Sequence, residues 1–291
     1  MKKRLHSITK FNKSGDFKNH QRKLIPEVIN QKEIIFVTSL SEAFDLLKIK
    51  DGMTLSFHHH LRNGDFVMNL VSNEVFNRNI KNLHYVPSSI FPNNEVLSKL
   101  IINKNITNIT TNYLSGPVAN TIQEGKLEGL LLMHTHGGRA RAIEAGEIKI
   151  DVSFLATPEV DKLGNGTGAF GTSACGSLGY AISDLKYAKK KVLVTDNVID
   201  LIDNPEFDSK YVDIVVVIDK IGDSKGIVSG TTRVTKDPIG LTIARDTAKL
   251  LDELGLIKDG FSMQTGAGGT SLAVASYVKD IMIKNNITGS F

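Results

Sequence analysis

Residues 53–76 read Met-Thr-Leu-Ser-Phe-His-His-His-Leu-Arg-Asn-Gly-Asp-Phe-Val-Met-Asn-Leu-Val-Ser-Asn-Glu-Val-Phe. The first part, Met53 to Phe57, is a short apolar run of strand type. The last part, Phe66 to Phe76, places Val67, Leu70, Val71 and Val75 at the spacing of one helical face. Between them lies a polar turn holding three histidines, Arg62, Asn63, Gly64 and Asp65. A strand, a polar loop and an amphipathic helix in that order make the repeating unit of an α/β fold.

The same alternation extends in both directions. Ile34 to Val37 reads as a strand, followed by a helix over Glu42–Leu47 that Ser41 is expected to cap. Leu83 to Val86 leads to Glu95–Leu100, and Ile106 to Thr111 leads to Val118–Ile122. Leu130 to Met133 is apolar without alternation, the pattern of a central strand covered on both faces, and it feeds a helix from about Arg139 to Ala145. Val152–Ala156, Val192–Thr195 and Ile214–Ile218 supply further strands, and Thr242–Leu254 a long helix. The expected fold class is α/β, a mostly parallel sheet with helices on both faces. The simplest partition is a loose basic arm over residues 1–32 and one α/β domain over residues 33–291.

Composition narrows the function classes. The chain has 291 residues, 41% hydrophobic and 23% charged, which suits a folded globular core. Much of the net charge of +4 lies in the arm, where Lys2, Lys3, Arg4, Lys10, Lys13, Lys18, Arg22 and Lys23 face only Asp16 and Glu27. These cations carry no interleaved aromatic ladder of the kind a nucleic-acid surface uses, so a solvated arm is the expectation and no nucleic acid is expected as a partner. No apolar stretch follows the basic start as in a secretory signal, and no run approaches the roughly 20 residues of a membrane span. No membrane partner is therefore expected. A single cysteine, Cys175, excludes an intramolecular disulfide and fits a reducing compartment, so the expected location is cytoplasmic.

Four segments can carry chemistry. His58, His59 and His60 are adjacent, so a strand would turn them to opposite faces and a helix would fan them about 100° apart. They make a poor metal set, and no metal site is expected. Their position after a strand and before a helix is more informative, because ligands of open α/β sheets bind at the carboxyl ends of strands. Arg62 and a partly protonated histidine there would attract a carboxylate or phosphate. The ordinary alternative is that Asp65 caps the helix and at least one histidine is buried and hydrogen-bonded.

His134 and His136 form an i, i+2 pair at a strand end, followed by Gly137, Gly138, Arg139 and Arg141 at a helix start. Free backbone N–H groups and an arginine fork at such a place favour an anion. Gly166, Gly168 and Gly171 belong to the richest glycine segment, residues 164–176, which matches neither the P-loop nor the dinucleotide fingerprint. A backbone able to wrap a pantetheine-like ligand is one reading, and an ordinary long turn is the other. Cys175 has no local base beside it and reads as a small buried thiol. Gly266, Gly268 and Gly269 offer a second turn into a helix, suited to an anion or oxyanion.

Three long segments, GMTLSFHHHLRNGDFVMNLV (52–71), HTHGGRARAIEAGEIKIDVSFLATPEVDKLGNGTGAFGTSACGSLGYA (134–181) and FSMQTGAGGTSLAV (261–274), closely resemble the citrate lyase α-subunit family. The likeness runs from about Lys23 to the end of the chain. It implies a CoA-transferase-like fold of tandem α/β domains, of which this chain matches the N-terminal one and lacks the second. The resemblance further implies exchange of citrate for acetate on the thioester of an acyl carrier protein. Its implied partners are the β subunit and the γ subunit, the latter carrying a CoA-like prosthetic group. No cofactor would be tightly bound in this chain, and an oligomer is expected. Such an exchange needs cations for carboxylates, a cradle for the pantetheine arm and donors for oxyanions, and the histidine, arginine and glycine positions above are the candidates. The catalytic glutamate of the wider CoA-transferase family lies in the later half; no residue here matches it, and Glu144, Glu147 and Glu159 read as surface positions. Two other functions fit the same residues: a general carboxylate CoA-transferase using free acyl-CoA, and a non-catalytic module that binds a small acid.

Overall fold

Every apolar run named above forms a strand, and eight of these strands join in one parallel sheet. A computed structural model describes residues 24–227, 233–266 and 268–290. The cations of the arm from Lys2 to Lys23 lie outside the described residues, as does Ala267. In chain order the first half holds β1 (Ile35–Val37), α1 (Leu40–Leu47), β2 (Thr54–Phe57), α2 (Val67–Asn77), β3 (Leu83–Pro87), α3 (Val96–Ile102), β4 (Ile106–Thr111), α4 (Pro117–Gln123), β5 (Leu131–Met133) and α5 (His136–Glu144). There follow β6 (Val152–Ala156), β7 (Glu159–Asp161), β8 (Gly166–Thr167), α6 (Ile182–Tyr187), β9 (Lys190–Thr195), β10 (Val198–Ile199), β11 (Ile214–Val217) and α7 (Ser224–Ile227).

The large sheet has the order β1-β11-β9-β6-β2-β3-β4-β5. From β2 the chain builds outward through β3, β4 and β5, then returns to the other side of β2 to lay down β6, β9 and β11. The strand order therefore reverses between β2 and β6. A crevice opens at such a point because the loops leaving the two strands diverge. The segment that decided the fold leaves β2 at this place.

Both faces of the sheet are covered. On one, Phe44, Phe57, Tyr85 and Phe154 stack with Leu97 and Leu100 of α3 and Val71 and Val75 of α2, all buried. Each such side chain contributes roughly 1.5–3 kcal/mol on leaving water. On the other, Ala142 and Ile143 of α5 cover Val86, and Leu185 of α6 packs with Leu155 and Leu193.

Three expectations change. Leu131–Met133 is an edge strand, with Leu132 50% and Met133 48% exposed. Its run of apolar residues resembles a buried strand only while its neighbours are unknown. Helix α1 is capped by Ser39, whose hydroxyl accepts from the Glu42 amide; Ser41 instead accepts from Arg78. The arm is not loose throughout, because Ile25, Val28 and Asn30 donate backbone hydrogen bonds to Glu144, Lys186 and Lys210, and Glu27 pairs with Lys186 and Tyr211.

The single domain expected over residues 33–291 divides in two, the first unit ending at Ile227 and the second running from Val228. The sheet is complete by Val217, Ile221 and Ile227 still pack into its core, and the helices of the second unit build a core of their own. In the second unit α8 (Pro238–Glu253) and α9 (Gly269–Lys284) bury Ala248, Ile257, Val278 and Met282 among themselves. Asp237 caps α8 by accepting from the Gly240 amide.

Candidate functional site at the carboxyl edge of the sheet

The loop after β2 is pinned at several points. The backbone N–H of His59 donates to Ser88 Oγ at 2.9 Å, and His59 Nδ1 lies 2.6 Å from the same oxygen. Ser88 Oγ thus accepts from the His59 amide and is hydrogen-bonded to the His59 ring. His60 Nε2 lies 2.5 Å from the carbonyl oxygen of Ala156 at the end of β6. A carbonyl only accepts, so Nε2 holds the His60 proton and Nδ1 its lone pair. His58 Nδ1, at 3.2 Å, then donates to His60 Nδ1. The tautomers of His60 and His58 follow from this network. His58 stacks on both neighbours, and the His136 ring meets His59 edge-on at 5.7 Å.

Burial removes the positive charge expected here. It holds His59 down at about 3 and His60 at about 4, with the neighbouring His60 and His136 rings adding to the depression at His59. His58 is held well below its usual range, again chiefly by burial. The triplet is neutral at neutral pH, so the partly protonated histidine expected to draw an anion is absent. Among the described residues no group of three or more His, Cys, Asp or Glu side chains is placed to hold a metal ion.

Arg62 is exposed and holds a left-handed backbone, φ 51°, a conformation that a non-glycine residue adopts at a cost. Gly64 behind it approaches Asp223 O so closely that a side chain would collide, and the loop thereby seats against α7. Asp65 caps α2 by accepting from the Met68 amide, and burial pushes its carboxyl up to about 7.

The second histidine segment divides by position. Thr135 caps α5 by accepting from the Gly138 amide, so His136 and Gly137 open the helix and His134 precedes it. The two histidines are therefore not a strand pair. Arg139, expected at an anion, points into the protein and is fully buried. Its guanidinium donates to both oxygens of Asp184 at 2.7 and 2.8 Å, to Ser56 Oγ and to Val86 O. Ser56 in turn donates to Asp184. Arg139 thus ties α5 to α6 and to the middle of the sheet. Arg141 is exposed and makes a two-pronged pair with Glu147.

The glycines also separate. Gly166, Gly168 and Gly171 lie in a tight excursion beyond β6 where backbone passes backbone. A side chain at Gly168 would overlap Gly176 O; at Gly171, φ 89°, it would come within 2.8 Å of Pro158 O; at Gly166 it would press on Thr157. These positions are accounted for by packing. In the second unit Gly266 and Gly268 face open space near Ser271, while Gly269 packs on Arg233 and Thr235. Cys175 is half-buried and its thiol is raised to about 11 by burial, as an inert thiol would be. Glu159 is not a surface residue: it is buried and accepts from Asn197. Glu144 is half-buried and accepts from Ser183, and Glu147 is exposed.

Two positions at this edge escaped the sequence reading. The register pairs Phe57 with Pro87, Tyr85 with Ile109, and Thr111 with Met133. Carried one residue beyond the strand ends, it sets His58, Ser88, Asn112 and His134 in one row. Backbone hydrogen bonds from Ser88 to Phe57 O, from Asn112 to Ser88 O and from His134 to Thr111 O hold that row together. The available signal was the shared placement of polar residues just after four apolar runs, Ser88 and Asn112 being ordinary turn residues one at a time.

Comparison with known proteins agrees with this architecture. The family model described as "Citrate lyase, alpha subunit (CitF)" matches residues 33–291. The citrate lyase alpha chain of Haemophilus influenzae is 42% identical over 255 residues, which are 87% of this chain and 51% of that protein. This chain thus spans about half the length of the curated relatives it matches. A crystal structure of the putative α subunit of citrate lyase from Streptococcus mutans, in complex with citrate, is 42% identical and superposes with a TM-score of 0.82, covering 94% of this chain and 54% of that one. An acyl-CoA transferase of Escherichia coli O157:H7 shares the fold at 11% identity, with a TM-score of 0.54 over 90% of this chain and 66% of its own length. With a sheet of CoA-transferase type and a family match over nearly its whole described length, this chain belongs to the citrate lyase α-subunit family.

Proposed function

We propose that this chain supplies the citrate-binding part of a transferase that exchanges citrate for acetate on an acyl carrier thioester. In that exchange a citrate carboxylate takes the place of acetate on the carrier sulfur, giving a citryl thioester and free acetate. No electrons are transferred, so no redox cofactor is called for. The CoA-like group belongs to a carrier subunit, the γ subunit of the resemblance, and a β subunit would cleave the citryl thioester. The observation that carries the proposal is the citrate-bound relative from Streptococcus mutans, similar over 94% of this chain. The neutral, hydrogen-bonded histidines of the loop after β2, at the strand-order reversal, are the candidate contacts for the acid.

Because the relatives extend well beyond this length, the decisive assay combines this chain with their remaining half. Acetate release from acetyl-carrier on addition of citrate is expected only when both parts are present. Free acetyl-CoA in place of acetyl-carrier separates the proposal from a general CoA-transferase, for which both donors would work. Citrate binding without exchange under any of these conditions would instead make the chain an acid-binding module.

A further inference from the structure

Among the described residues, Asn112 stands out in the edge row. Both its amide nitrogen and its amide oxygen are shielded from solvent and have no hydrogen-bond partner. The Nε2 atom of His134, its neighbour in the row, is in the same condition. Of the other two members, Ser88 is bonded to His59, and His58 is bonded to His60 through Nδ1 while its Nε2 is shielded like that of His134. Unpartnered buried polar atoms cost free energy, and the great majority in folded proteins find a partner. At the carboxyl edge of an α/β sheet, on the loops that leave β4 and β5, the partner that suits them is a ligand.

We propose that Asn112, with His134 beside it, reads the hydroxyl group of a hydroxy-carboxylic acid and so selects citrate over acids that carry only carboxylates. This deepens the citrate reading above and rests on it. An amide presents donors on nitrogen and an acceptor on oxygen. An ionised carboxylate only accepts, so it can satisfy Asn112 Nδ2 but leaves Oδ1 unpaired. The hydroxyl of citrate donates as well as accepts, and it alone among the groups of that acid completes the amide. The choice of end for the amide does not alter this, because both ends are unpartnered. Nor does Arg139 offer an alternative means of selection, since its charge is held in the interior by Asp184. A site built to bond a hydroxyl rejects the analogue lacking it because its own polar atoms stay unpaired.

The test is calorimetric titration of the whole chain with citrate and with propane-1,2,3-tricarboxylate, which keeps the three carboxylates and lacks the hydroxyl. Citrate is expected to bind about 100-fold more tightly or better, within the range seen for sites that bond a substrate hydroxyl. Asn112→Leu is expected to bring citrate down to the level of the analogue while leaving the analogue within about 3-fold of its former affinity. Should Asn112→Leu not fold, Asn112→Asp keeps the size and adds a charge, and it should weaken both acids. Equal binding of the two acids by the unaltered chain, or no change with either variant, overturns the hydroxyl reading and leaves acid binding standing. Binding of neither acid by the unaltered chain removes both.

Discussion

Two buried polar groups sit at the same sheet and differ in how completely they are bonded. The Arg139, Asp184 and Ser56 group is closed: four guanidinium hydrogen bonds run to a carboxylate, a hydroxyl and a carbonyl, with only Arg139 Nε left over. The row His58, Ser88, Asn112, His134 is bonded at Ser88 and at His58 Nδ1 and is most open at Asn112, where both amide ends lack a hydrogen bond. Polar residues in the first group hold α5 and α6 on the sheet. In the second they end in atoms that nothing in the fold satisfies. Charge is thus a poor guide to the site here, since the buried ion pair serves the fold and the neutral amide is what lacks a partner.

The largest effect that can break this contrast lies in the closed group. Asp184→Ala leaves a buried guanidinium without its counter-ion and is expected to lower unfolding stability by about 3–5 kcal/mol in urea titration. Replacing both partners with apolar residues, as in Arg139→Met with Asp184→Leu, should cost less than the single change, because no lone charge remains. Asn112→Leu, in the open row, should be near neutral for stability or slightly favourable. A loss of several kcal/mol on Asn112→Leu would put the two groups on one footing.

Acid stability sharpens the contrast next. The His58, His59 and His60 rings are depressed in the folded state, to about 3 and about 4 for the last two, against 6.5 unperturbed. As pH falls below 6.5 the unfolded chain takes up protons that the folded chain refuses, so stability falls by about 1.4 kcal/mol per pH unit for each group. Asp65 has the opposite sign, since its folded value of about 7 lies above its ordinary 3.8. Between these values the folded chain holds the extra proton, and this contribution grows as pH falls from about 7 toward 4. Three histidines outweigh one aspartate, so denaturant midpoints should drop from pH 6.5 toward 5. Asp65→Asn should steepen that drop, and an unchanged slope would show that Asp65 is not the buried acid it is taken for.

A smaller effect separates the two glycine segments. Gly168→Ala should cost about 1–3 kcal/mol through collision with Gly176 O, read from thermal unfolding. Gly266→Ala faces only Ser271 Oγ at 3.6 Å and should leave stability nearly unchanged. The smallest effect is expected for Arg141→Ala, whose exposed pair with Glu147 contributes too little to be seen in either unfolding or citrate titration.

Much of the fold was legible because it rests on local pattern. Ile106–Thr111 and Val152–Ala156 were read with their observed bounds, since apolar strands between turn residues need no distant information. Leu131–Met133 was misread because burial of a strand depends on its neighbours, and strand order is not local. The candidate site was legible in part. The histidine loop sits at the carboxyl end of a strand and before a helix, as strand–loop–helix reasoning put it, while its place at the strand-order reversal needed the sheet order. Arg139 looked like an anion ligand because its partner, Asp184, lies 45 residues away and is joined only by folding. Asn112 and Ser88 were passed over for a like reason: what sets them apart is alignment across strands from distant parts of the chain.

The bond from His60 to Ala156 O, and those between His59 and Ser88, tether the loop after β2 to the ends of β6 and β3 before any ligand arrives. A guest entering between them meets walls already set in place. Little conformational entropy is then lost on binding, so the affinity of this edge is governed by the fit of the guest's own groups, with little penalty for ordering the host.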